Sequence, residues 1–127
     1  MKNQIVMLRI AGSICLLFML FHFAFQKLFN WNVTLSCLSQ SDRAILLTYH
    51  YISILILAFM TFVSVFQARL LLASSLKYSA LWFFSLFFII RITTEFTLFG
   101  ISQHSLIILV MCAIPVVMFS FPLFIKK

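Results

Sequence analysis

Apolar residues in this chain fall into four long blocks, Ile5–Phe25, Ala44–Phe66, Tyr78–Phe99 and Ser105–Ile125, separated by short polar stretches. Each block is about 20 residues, which at ~1.5 Å rise per residue crosses a ~30 Å hydrocarbon core. The period-two alternation of a membrane β-strand is absent, and a helix satisfies its own backbone hydrogen bonds in lipid. The pattern predicts an all-α integral membrane four-helix bundle, with residues 1–127 forming one transmembrane domain.

The first connection, Gln26–Arg43, is the long one. Trp31, Leu35 and Leu38 recur in it at spacings of four and three, the period of a short helix in the membrane interface with Trp31 at headgroup depth. A plain loop is the other reading. Ser41, before Asp42, is the expected N-cap of the second helix. The stretch Gln67–Lys77 reads as a short loop, and the turn Gly100–Gln103 makes the third and fourth helices antiparallel neighbours. Pro115 removes a backbone hydrogen bond inside the fourth helix and is expected to bend it.

Composition agrees with the pattern. Hydrophobic residues make up 65% of the chain and charged residues 9%, against roughly 45–50% and 25% in soluble domains. A water-soluble fold of this size cannot hide that much apolar surface. Lys2 and Arg9 resemble the start of a signal peptide, but the apolar run after them exceeds a signal core and no small-x-small cleavage site follows; the first helix is expected to be retained.

Charge sets the expected orientation. Lys2, Arg9, Arg69, Lys77, Lys126 and Lys127 fall on one side, while Lys27 and Arg43, beside Asp42, fall on the other. The positive-inside rule then puts both termini and the Gln67–Lys77 stretch in the cytoplasm. The net charge of +7 is read as an anchor to anionic lipid headgroups. Nucleic acid is not an expected partner, because the basic residues come singly or in pairs at helix ends.

Candidate chemistry rests on the few polar positions inside the apolar blocks. Arg91 and Glu95, one helical turn apart in the third block, stand out most, since an ionised side chain in a bilayer costs roughly 2.5–3.5 kcal/mol unless a partner or water offsets it. Three helices show inward-looking stripes: Gln4, Ala11, Cys15, His22 and Gln26; Arg43, His50, Ser53, Thr61 and Ser64; and Lys77, Ala80, Phe84, Phe88, Arg91 and Glu95. Trp82 points away from the last of these. His22, His50, Arg91 and Glu95 all fall in the outer half of the expected bilayer. They are therefore the candidate site: one buried polar cluster, serving as a ligand site, as interhelical glue or in recognition of a membrane partner. His104 and Tyr49 read as interface residues. Phe83, Phe84, Phe87, Phe88, Phe96 and Phe99 either line a pocket for a flat lipophilic ligand or pack and face lipid.

His22, Asn30-Trp31, the Leu35/Leu38 pair, Asp42-Arg43, Trp82-Phe83 and the Arg91/Glu95 pair together resemble an uncharacterised group of small four-helix bacterial inner-membrane proteins. A looser similarity extends to DoxX-like proteins. The resemblance implies a fold and an inner-membrane location, and brings no activity with it.

The leading functional expectation is that the cluster binds a lipophilic molecule with a polar head, Arg91 holding the head and Glu95 fixing Arg91 or a histidine tautomer. Binding to a membrane-protein partner, or assembly as a homo-oligomer, is the related reading for so small a chain. An acid–base enzyme acting on a lipid or isoprenoid is the alternative, weakened by Arg91 beside the carboxylate. Phosphate-lipid chemistry would call for further carboxylates to hold a metal, and none is present, so no metal site is expected. Haem held by His22 and His50 is a further alternative. Cys15, Cys37 and Cys112 contain no C-x-x-C pair, which leaves dithiol chemistry unsupported.

Overall fold

The computed structural model describes residues 2–124, apart from the side chain of Phe99. Ile125, the expected end of the fourth block, and the expected cytoplasmic anchors Lys126 and Lys127 lie outside the described residues. Four helices long and apolar enough to cross a membrane make this a multi-pass membrane protein: α1 (Lys2–Leu28), α3 (Gln40–Phe66), α5 (Lys77–Phe99) and α6 (Gln103–Phe124). The first two exceed their apolar blocks at both or one end, because polar residues such as Gln40 and Lys27 continue a helix once it has left the hydrocarbon. Two short helices, α2 (Trp31–Thr34) and α4 (Ala68–Ala73), complete the order.

Helix α3 starts earlier than expected, and the reason is its cap. Ser39, not Ser41, precedes the first turn; its Oγ accepts the Asp42 backbone N–H at 3.1 Å and donates to the Asp42 carboxylate at 2.6 Å. Asp42 thus sits three residues into the helix, where a carboxylate also favours the positive end of the helix dipole.

Helix α2 is a single turn. Asn30, at φ 46°, takes the left-handed conformation that asparagine tolerates, and this reverses the chain after α1. Leu35 is buried and Trp31 half-buried, so the connection folds back onto the bundle, while Leu38, the third expected anchor, is exposed. The Gln67–Lys77 stretch is not a plain loop. It carries α4, whose Ala68, Leu71 and Leu72 are buried against the other end of the bundle.

The long helices form two antiparallel hairpins, α1 with α3 and α5 with α6, joined mainly through α1 against α6. Fourth-helix prolines do not break α6; Pro115 and Pro122 are both buried within it. Lipid is as apolar as leucine, so burial from lipid brings no hydrophobic gain and close packing must hold the hairpins together. Gly12 supplies a close approach of α1 to α3: a Cβ there would come within 2.8 Å of Ser64 Cβ and of Val65 Cγ2. Across α5 and α6, the Ser85 and Ser120 hydroxyls pair at 3.1 Å.

The core is concentrated at the α4 end, where Leu8, Cys15, Met60, Leu81, Phe84 and Phe119 are buried. Every buried residue of α1 lies between Gln4 and Cys15. The half of the bundle nearer α2, beyond Cys15, holds a cavity between the hairpins.

Candidate functional site: a cavity between the hairpins

The cavity has a volume of about 600 Å³, and all four long helices contribute to its wall. Most of the wall is aromatic or aliphatic: Phe18, Phe21 and Phe25 from α1, Phe87 and Phe88 from α5, Ile108 from α6. His22, Arg91, Thr94, Ser53 and His104 supply the polar atoms. A few convergent polar groups in an otherwise apolar concavity of this size are the usual makings of a small-molecule site.

The four expected residues divide into two pairs, each with one member at the cavity and one behind it. Arg91 reaches the wall and Glu95 does not. Arg91 Nη1 donates to Glu95 Oε2 at 2.8 Å, with side-chain exposures of 44% for Arg91 and 6% for Glu95. The i, i+4 spacing brings the two together on one face of α5. A guanidinium carries five N–H donors, and the remaining ones have no partner among the described residues.

Glu95 is compensated from a second direction, by the start of α6. Ser102 Oγ accepts the Ser105 backbone N–H at 3.1 Å as an N-cap does, and Ser105 Oγ lies 3.4 Å from Glu95 Oε1. That hydroxyl has one hydrogen, and the Gly100 carbonyl at 2.8 Å is its better acceptor. The contact with Glu95 is therefore weak, and the positive end of α6 contributes mainly through its field. Glu95 touches neither histidine, so it fixes Arg91 and not a histidine tautomer.

His22 and His50 form the second pair. His22 is half-buried at the wall, whereas His50, 8% exposed, stands behind it and does not line the cavity. Their rings are near-parallel, 20° apart with centroids at 5.9 Å. Phe25 stacks against both, at 4.5 and 5.6 Å, and Trp31 meets His50 edge-on at 4.8 Å. His22 Nδ1 lies 2.8 Å from the Phe18 carbonyl oxygen, which only accepts. Nδ1 therefore carries a hydrogen, and Nε2 is the acceptor of the neutral ring. Gln26 and Tyr51, bonded at 3.0 Å, tie α1 to α3 just above this stack.

The two alternatives meet this geometry poorly. Haem between the histidines would need a macrocycle's width of clear space around an iron held by facing nitrogens. Here the two rings and Phe25 instead form one aromatic stack. An acid–base role for Glu95 needs reach to a substrate, and the carboxylate is packed away from the cavity behind Arg91. Among the described residues no group of three or more His, Cys, Asp or Glu side chains is placed to hold a metal ion.

His104, expected at the interface, and Thr94 join the wall. So do Phe18, Phe21, Phe25 and Phe29, whereas the aromatic wall was expected from α5 alone. The signal for these was present as the stripe 18, 21, 22 and 25 along α1, continued by Phe29 just past its end, but in so phenylalanine-rich a chain it does not differ from lipid-facing surface. Phe84 packs in the core against Phe119, and Phe83 faces outward. Comparison with family models, with curated proteins and with solved structures finds no match to this chain.

Proposed function

We propose that the protein binds a lipophilic molecule with a polar head in the cavity between its hairpins, His22 and Arg91 addressing the head and the aromatic wall enclosing the body. The observation that carries this reading is that a histidine and an arginine from different hairpins reach the same otherwise apolar cavity, each with its partner placed behind it. A cluster serving only to join helices would be expected to spend its hydrogen bonds within itself, as Ser85 and Ser120 do. Among the described residues, most of the Arg91 donors have no partner.

Filling the cavity tests this. An organic extract of the source membrane is expected to raise the thermal stability of the purified protein, by about 2.7 kcal/mol when the ligand stands at a hundred times its Kd. Thr94→Phe, which puts a ring into the cavity, should abolish the increase. An equal increase in both proteins would count against the cavity as the site.

The location belongs to the same proposal: a bacterial inner membrane, both termini cytoplasmic, with the cavity in the outer half. Support comes from Lys2, Arg9, Arg69 and Lys77 gathering at the α4 end, against Lys27 and Arg43 at the other. Cys37 is exposed in the α2-end connection while Cys15 and Cys112 are buried. A membrane-impermeant maleimide should therefore label the intact protein at Cys37 from outside; labelling only after the membrane is opened would reverse the orientation.

A further inference from the structure

A second, apolar space adjoins the cavity at its aromatic wall. Phe18, Phe21 and Met111 also border this second cavity, of about 350 Å³, completed by Ile14, Leu17 and Ile114 on α1 and α6. Its wall contains no polar side chain. The two spaces adjoin at these three residues, the first with polar groups in its wall and the second without. From His22 to Ile14 the separation along α1 is about 12 Å, close to the ~15 Å half-thickness of a hydrocarbon core. Leu17 and Ile114 are lipid-exposed, so the apolar space faces sideways to the membrane.

The polar wall is specific in a way an apolar groove is not. With Nδ1 committed to Phe18, neutral His22 offers an acceptor at Nε2, and Arg91 offers donors. A carboxylic acid answers both: its carbonyl accepts from the guanidinium and its O–H donates to the imidazole. Moving the proton to the ring gives a carboxylate and an imidazolium that keep the same two contacts. An ester lacks the hydrogen for the second.

We infer that the ligand is a single-chain, long-chain carboxylic acid, its carboxyl group between His22 and Arg91 and its tail lying along α1 and α6 in the Ile14–Leu17–Ile114 groove. This rests on the proposed function and narrows it to one shape and one head group. The tail faces the bilayer along the exposed Leu17 and Ile114.

The test compares ligands of one head and different bodies on the purified full chain in neutral detergent. Hexadecanoate is expected to be retained about tenfold better than its methyl ester, and about tenfold better than cholate, a carboxylate on a compact ring system. Ile114→Trp, which blocks the groove, should reduce hexadecanoate retention about tenfold, with Leu17→Trp as a second block if the first does not fold. Ile52→Trp, equally exposed but on neither cavity, should leave it unchanged. Equal retention of cholate, preference for dihexadecanoyl phosphatidate, or retention undiminished by both groove blocks would overturn the linear carboxylic acid. The proposed function would survive any of these provided the membrane extract still stabilises the wild type and not Thr94→Phe. Failure of both assays would remove both.

Discussion

Glu95→Gln is expected to destabilise the protein by about 1–3 kcal/mol in an SDS titration of the detergent-solubilised form. The cause is the arginine left behind: Arg91 cannot shed its proton, so its charge stays in place without the one charged partner it has among the described residues. A fully buried pair broken in this way costs about 3–5 kcal/mol. The expected loss is smaller because the Arg91 side chain is 44% exposed and turns partly to the cavity. Adding Arg91→Met should recover most of the stability, since the charge that needed compensation is gone. Thr97→Val, an exposed position on the same helix, is the control and should change little. Stability that fails to return in the double variant would mean that Glu95 acts through Ser105 and the start of α6 instead.

Gly12→Val is the second large effect, with an expected loss of about 2–3 kcal/mol from overpacking. The clash is with rigid atoms. Ser64 Cβ, 2.8 Å from a new Cβ at position 12, is attached directly to the α3 backbone, and Val65 N follows at 3.3 Å. Val65 Cγ2, also at 2.8 Å, belongs to a β-branched side chain that has little rotamer freedom in a helix. The α1–α3 hairpin must therefore open. Gly12→Ala should cost less, because alanine regains about 1 kcal/mol of helix propensity. Combining it with Ser64→Gly should restore part of the remainder, and non-additivity in that pair is the sign that the two positions meet.

These two predictions mark what could and could not be read from the chain. Helix number and the inward faces were legible because lipid imposes a simple rule: polar and small residues turn away from it. That rule placed His50, Thr61, Ser64, Phe88 and Glu95 inward and Trp82 outward, as the structure has them. It grouped His22 with Arg91 by depth, and both line one cavity. It did not show that His50 and Glu95 would stand behind the wall, because depth and angle on separate helices do not say which neighbour intervenes. Phe25 and Trp31 decide that for His50, and the α6 terminus for Glu95.

The missed features are those where local chemistry competes with the rule. Ala68, Leu71 and Leu72 carry the i, i+3, i+4 spacing of a helix, but α4 spans only Ala68–Ala73, too short for periodicity to stand out from a loop. Ser39 and Ser41 are equally good caps by type; the carboxylate three residues beyond Ser39 selects it. Gly12 matters because of Ser64, and a pairing between helices that far apart in sequence has no local signature.

The central claim is that a lipophilic molecule occupies the cavity that His22 and Arg91 both line, and native mass spectrometry of the mildly extracted protein tests it most directly. Wild-type protein should carry a bound amphiphile through gentle release from detergent, and His22→Phe, which keeps the aromatic stack but removes the acceptor, should carry much less of it. A wild-type protein that flies bare, or an adduct equally abundant in His22→Phe and Thr94→Phe, would contradict the account.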